Sequence, residues 1–189
     1  MHQVLLSYFS KITKLSEDEK TYLQSHFKLI HYNKGAFILK QGQVNHTIGF
    51  LNKGLVRYFV LKNGEEATFE FTREHEFIAD YQSFTTRKPG IQYIQAIEDC
   101  EVLEISYEAV QYVFNNFPNG NLLGRLILEH RFEVMVNQLL AIYLQNKEER
   151  YHWFTKQYND IMQRIPLYMI ASFVGVKPQS LSRIRKRPH

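Results

Sequence analysis

The 189-residue chain carries 23 basic and 19 acidic side chains, is 44% apolar and 22% charged, and holds one cysteine. These proportions fit a globular protein of one large or two small domains, either long enough to bury a real core. A single Cys100 excludes an intrachain disulfide, a thiolate-only metal site and an iron–sulfur cluster. With no basic-then-apolar leader and no uninterrupted run of about 18 apolar residues, a cytoplasmic location without a membrane partner is expected.

From Met1 to Ile30 short apolar groups (Val4, Leu5, Leu6, Phe9) lead into a helix start at Ser16, where Ser16 as N-cap and Glu19 three residues on form a capping box. Tyr22, Leu23 and Phe27 follow as its packing face. Between His31 and Ser106 the pattern changes to short alternating runs divided by Gly35, Gly42, Gly49, Gly54, Gly64 and Gly90, six of the nine glycines. Regular turns between short strands predict a closed β architecture, and 14 Phe with 12 Tyr suit it. Its clearest part is LVRYFVLKNGEEATFEF, where Asn63-Gly64 signals a type I′ hairpin. Arg57 on the first arm faces either the interior or solvent, because alternation alone does not choose.

Helical spacing returns after Ser106. A short helix over Glu108–Asn115 ends near Pro118-Asn119-Gly120, and a long one is predicted over Asn121–Asn146. On it Leu128, Phe132, Met135, Leu139 and Ile142 alternate at four and three, a heptad-like seam. Leu122, Leu123, Leu126, Ile127, Val134 and Leu140 lie on the other side. A helix apolar nearly all round must be covered twice, so one side is expected on the β domain and the seam on a second copy of the chain; a core helix of a monomer is the alternative. Lys147–Arg164 continues helically with Trp153, Phe154, Tyr158, Ile161 and Met162 as its apolar face.

The final stretch, IPLYMIASFVGVKPQSLSRIRKR from Ile165 to Arg187, reads as a helix-turn-helix. Pro166 suits a first turn, Ile170, Ala171 and Val174 repeat at helical spacing, Gly175 caps the first helix, and Pro178 opens the second. Small Ala171 lets the helices cross closely. Leu181 and Ile184 face inward, leaving Gln179, Ser180, Ser182, Arg183 and Lys186 outward with groups that suit base edges and phosphates. Beyond Ile165 there are five basic residues, Lys177, Arg183, Arg185, Lys186 and Arg187, and no acidic ones, whereas the chain before it holds 18 basic and 19 acidic. A localised positive end is what a module meeting a polyanion carries. A basic amphipathic helix pair with a solvated face is the plainer alternative.

Taken in order, these features resemble the Crp/Fnr family of bacterial transcription regulators over nearly the whole chain. The anchors are YNKGAFILKQGQVNHTIGFLNKGLVRYFV, similar to the family's early β-roll, and EERYHWF with IPLYMIASFVGVKPQSLSRIRKR, similar to its DNA-binding end. The resemblance implies an α+β fold: an N-terminal cyclic-nucleotide-binding-like double-stranded β-roll with its leading helices (1–120), a dimerisation helix (121–146) and a winged-helix-like helix-turn-helix (147–189). By family position Gln179, Ser180 and Arg183 read bases, while Lys177, Arg185, Lys186 and Arg187 hold phosphates. Pro178 departs from the family's usual residue, so the half-site need not be the family's common one. Double-stranded DNA, a second copy, a small effector and RNA polymerase are the implied partners.

The family's nucleotide site transfers poorly. Its Gly-Glu pair falls on Ala79-Asp80 and its phosphate-binding Arg on Gly90. Without that Arg a cyclic phosphate loses a charge-assisted partner, about 1.5 to 3 kcal/mol, so cAMP is not the expected ligand and no cofactor is expected. Asp80 keeps the capacity to take a hydroxyl, and Arg87 and Lys88 are nearby substitutes or exposed loop charges. Ala79, Asp80, Tyr81, Phe84, Gly90 and Tyr93 are the effector candidates, with β-roll core the alternative for the aromatics.

The leading expectation is therefore a homodimeric regulator in which something acting on the roll shifts the spacing of two recognition helices roughly 34 Å apart. The alternative is a small-molecule or cyclic-nucleotide binding module whose helical end meets protein. No enzyme is expected: His2, His26, His31, His46, His75, His130, His152 and His189 include no His-x-His pair for a metal, and the chain has neither a Gly-x-Ser-x-Gly elbow nor a phosphate-cradling Gly loop.

Overall fold

A computed structural model describes residues 2–186; the phosphate role expected of Arg187 lies outside them. Helices α1 (Gln3–Ile12) and α2 (Glu17–His26) lead into β1 (Lys28–Tyr32), β2 (Phe37–Leu39), β3 (Thr47–Lys53), β4 (Val56–Lys62), β5 (Glu65–Thr72) and β6 (Phe77–Ile78). Then come α3 (Tyr81–Thr86), β7 (Tyr93–Ala96), β8 (Cys100–Ser106), α4 (Tyr107–Asn116), α5 (Gly120–Leu144), α6 (Lys147–Gln157), a single 3-10 turn (Met162–Arg164), α7 (Leu167–Val174) and α8 (Pro178–Arg185).

The strands make two four-stranded sheets, ordered β1-β8-β3-β6 and β2-β7-β4-β5. In the first, β8 runs antiparallel between β1 and β3, with Glu104 opposite Lys28 on one side and Gly49 on the other. The β4–β5 hairpin turns at Asn63 (φ 54°) and Gly64 (φ 81°), both in the left-handed region that the predicted turn demands. The predicted capping box is formed: Ser16 Oγ accepts from the Glu19 amide at 3.2 Å and Glu19 Oε2 accepts from the Ser16 amide at 2.6 Å. Sequence spacing understated the N-terminus, where Val4, Leu5, Leu6 and Phe9 belong to a full helix that buries Leu5 and Phe9.

By internal packing the chain forms two compact units, one of Met1–Tyr58 with Phe71–His130 and one of Phe59–Glu70 with Arg131–His189. In the first, Phe50, Leu103 and Ile105 pack with Leu5, Phe9, Leu23, Phe27, Val110, Val113 and Leu123 into one core. Each large apolar side chain fully buried there contributes roughly 1.5 to 3 kcal/mol.

The second unit is helical apart from the outer part of the hairpin. Phe173 of α7 lies among Trp153, Phe154 and Tyr158, with ring centroids 6.1, 5.0 and 5.8 Å away. Gly175 ends α7 at φ 78°, and its amide donates to the Ala171 carbonyl at 2.9 Å, the left-handed cap expected of it. Pro166 is the N-cap of α7, just before its first turn. The helix predicted over Lys147–Arg164 breaks after Gln157, where the ladder gives way to turns and the 3-10 segment. Between Arg131 and Lys186 the described residues form helices and turns, with no strand.

Candidate functional site

The segment that the resemblance implied for a nucleotide cassette, Ala79 to Gly90, opens α3 and is built around Asp80. Its side chain caps the helix, Oδ1 accepting from the Ser83 amide at 3.1 Å, and the residue is buried. Gly90 lies so close that a Cβ there would overlap the Asp80 carboxylate. Its backbone is pinned, the carbonyl accepting from Gly42 and the amide donating to Gln43, each at 2.9 Å. Asp80 and Gly90 thus stand side by side, and the carboxylate itself occupies the space between them.

The remaining candidates diverge. The Ala79 amide donates to Tyr58 Oη at 3.1 Å, while Phe84 is buried in the helical core with its ring 5.2 Å from Tyr107. Tyr81 is exposed, and Tyr93 is half-buried against Phe37 at 5.8 Å. Arg87 is turned away from α3: Nη2 donates to His46 Nδ1 at 3.0 Å, Nη1 to the Asn45 carbonyl at 3.4 Å, and the guanidinium lies over the Tyr107 ring. Lys88 is exposed. The open question of Arg57 resolves to burial: Nη2 donates to Gln95 Oε1 at 2.6 Å, and strand alternation puts it on the face opposite Tyr58.

Space for a ligand exists elsewhere in the same unit. A cavity of about 490 Å³ is bounded by residues 43–47 together with Leu39, Gly49, Ile78, Val102 and Glu104, and by none of the six effector candidates. Sequence reasoning missed it because its wall is a turn segment and the inward face of strands whose residues, taken singly, are ordinary. Cys100 carries no chemistry; burial pushes its thiol up to about 11, so it stays protonated near neutral pH. Among the described residues no group of His, Cys, Asp and Glu is placed to hold a metal ion.

In the C-terminal unit Leu181 is buried and Ile184 half-buried, which fixes the rotation of α8. Gln179, Arg183 and Lys186 then share an exposed face, flanked by exposed Lys177 and Arg185. Among the described residues no carboxylate forms an ion pair with these cations. The start of α8 has no side-chain cap and no acid in its first turn; Pro178 carries no N–H and the Ser180 amide donates to the Lys177 carbonyl at 2.9 Å, which leaves the Gln179 amide uncapped. Ser180 is half-buried, and Ser182 is half-buried with Oγ donating to the Pro178 carbonyl at 3.1 Å, which lowers its availability to a partner.

Two tethers in this unit had no signal in the sequence. Ser172 Oγ donates to the Glu66 carbonyl at 2.6 Å and accepts from the Thr68 amide at 2.9 Å, joining α7 to the outer part of β5. Arg131 Nη2 bonds buried Glu70 Oε1 at 2.5 Å across 61 residues of sequence. On α5 the predicted seam is uncovered, with Phe132, Met135, Leu139 and Ile142 each more than half exposed, and Tyr143 and Leu144 extend the apolar surface.

Residues 29–117 match the cyclic nucleotide-binding domain family. Among solved structures, the chain is similar to a CooA mutant from Carboxydothermus hydrogenoformans, at 17% identity and TM-score 0.69 over 90% of this chain and 79% of that one. It is likewise similar to the c-di-GMP-responsive global regulator CLP of Xanthomonas campestris, at 17% and 0.71 over 88% of each chain. A protein described as a Crp/Fnr-family transcriptional regulator from Eubacterium rectale matches at 16% and 0.68, over 90% of this chain and 82% of that one. The fold is that of the Crp/Fnr regulators. No curated protein matches the sequence. The matched residues 29–117 include α3 with its Asp80 cap. None of the described helices is long and apolar enough to cross a membrane.

Proposed function

We propose that the chain is a homodimeric, sequence-specific DNA-binding transcription regulator whose α7–α8 pair is the helix-turn-helix. The observation that carries this reading is the exposed face of α8, where Gln179, Arg183 and Lys186 stand together with Lys177 at an uncapped helix start. Arg183 suits a guanine O6/N7 edge and Gln179 an adenine, while Lys177, Arg185 and Lys186 suit phosphates. The uncovered α5 seam supports pairing with a second copy, since five apolar side chains at heptad spacing need a partner surface.

On the same reading the roll does not answer to cAMP. This is supported by the Asp80 carboxylate filling the cassette beside Gly90 and by the engagement of Arg87 with His46 and Asn45. A cyclic phosphate brought there would meet a like charge without a compensating cation.

The test is selection of binding sites from random duplexes with the purified full chain, followed by titration of the winner and a scrambled duplex over a salt series. Enrichment of a two-fold symmetric site, with affinity falling as salt rises, is the expected outcome. Equal affinity for both duplexes at every salt concentration would leave α8 as a solvated basic face.

A further inference from the structure

We propose that the roll binds a small organic cation, an amine carried on an apolar body, in the cavity beside Glu104. This rests on reading the roll as the effector domain, and it places the ligand away from the cassette of α3. At about 490 Å³ the cavity falls within the range of small-molecule sites, about 300 to 1,000 Å³. Leu39, Val44, Ile78 and Val102 supply apolar wall, which suits the body of such a molecule.

Glu104 is the one carboxylate in that wall. It accepts from Tyr32 Oη at 2.6 Å and Thr47 Oγ1 at 2.9 Å, two neutral donors that fix its orientation and leave its charge uncompensated. A carboxylate has roughly four acceptor positions, so two remain for a ligand. Among the described residues Glu104 makes no ion pair; Lys28, its cross-strand neighbour, is exposed and does not reach it.

The other polar side chains in the wall each make a bond within the chain, Gln43 Oε1 accepting from the Lys40 amide at 2.8 Å. Asn45 donates to the Thr47 carbonyl at 2.5 Å and accepts from the Asp80 amide at 3.4 Å. His46 Nδ1 is bonded to Arg87 Nη2 at 3.0 Å. Arg87 is held on that bond, on the Asn45 carbonyl and on Tyr107. The unspent charge nearest the cavity is therefore negative, with buried Asp80 adding to it from behind Asn45. An anion is repelled there, and an ammonium group gains a charge-assisted hydrogen bond to a preoriented carboxylate.

The experiment titrates the full chain, without DNA, with three probes of one shape: 4-phenylbutylamine, 4-phenylbutanol and 4-phenylbutyrate. Binding of the amine is expected, weaker binding of the alcohol and none of the acid. Glu104→Gln, which keeps one oxygen to accept from Tyr32 and turns an NH2 toward the Thr47 hydroxyl, itself able to accept, should weaken the amine at least tenfold while leaving the alcohol unchanged. Val44→Trp, which fills the cavity from its half-buried wall, should abolish both. The proposal is overturned if the acid binds as well as the amine, if Glu104→Gln binds the amine like the parent, or if the folded parent binds no amine. Because no DNA is present, either result leaves the DNA-binding reading to its own test.

Discussion

The start of α3 and the start of α8 both present amide donors that their own helix cannot satisfy, and the chain treats them oppositely. At α3 the Asp80 carboxylate turns back onto the Ser83 amide and is sealed in by Gly90. At α8 the residue in the same position is Lys177, which makes no cap, and the following turn has no acid. One helix start is closed by an anion of the chain itself, whereas the other is left positive and uncovered. The same division holds more widely: Arg57 and Asp80 of the roll are buried on partners within the chain, while the helical end leaves exposed an apolar seam on α5 and a cationic face on α8.

The largest effect is expected where the exposed seam of α5 is broken. Phe132→Glu with Leu139→Glu puts two charges into the seam, and each lost hot-spot contact in such an interface costs about 2 kcal/mol or more. Sedimentation should show a monomer, and affinity for a two-fold symmetric site should fall more than a hundredfold, with the thermal melt of the roll preserved. A variant that stays dimeric would mean the seam is not what pairs the chains.

Arg183→Ala comes next. It removes an exposed guanidinium that makes no ion pair among the described residues, so folding should be unaffected while discrimination at one base pair falls by about 1 to 3 kcal/mol. Competition between the selected site and single-base variants measures this. Equal losses on specific and random duplexes would move Arg183 to a phosphate role.

What the sequence made legible follows local rules. Asn63-Gly64, the Ser16/Glu19 box, Gly175 and Pro178 each impose a backbone geometry on their own neighbours, and all four sit as read. The seam was readable because periodicity on one helix needs no knowledge of the rest of the fold. The cassette was readable only as a substitution pattern: Ala79-Asp80 and Gly90 indicated a missing cation, but not that the Asp80 carboxylate would fill its place. The cavity beside Glu104, the Ser172 tether and the Arg131–Glu70 pair were hidden, since each depends on strands or helices far apart in sequence meeting at a particular register. Nor did the helical pattern of Lys147–Arg164 reveal the break after Gln157, because apolar spacing continues through the turns that replace it.

The closed helix start can be tested by forcing it open. Gly90→Ala places a methyl group against the Asp80 carboxylate, which must then release the Ser83 amide; losing such a cap costs about 0.5 to 2 kcal/mol. In an Asp80→Ala background the same methyl group meets no carboxylate, so its added cost should largely vanish. Denaturant melts of the four proteins give the coupling directly. Strict additivity would show that Asp80 and Gly90 do not share the space assigned to them.

The smallest effect separates exposed charge that meets DNA from exposed charge that does not. Lys186 on α8 and Lys88 beyond α3 are both solvent-exposed lysines without an ion pair among the described residues. Neutralising a phosphate contact lowers the slope of log affinity against log salt by about 0.9. Lys186→Ala should show that decrement equally on selected and random duplexes, because a phosphate contact carries no base information. Lys88→Ala removes the same formal charge from the roll and should leave the slope unchanged. If the two variants shift the slope alike, the salt response comes from net charge and the cationic face of α8 has no privileged contact with the backbone.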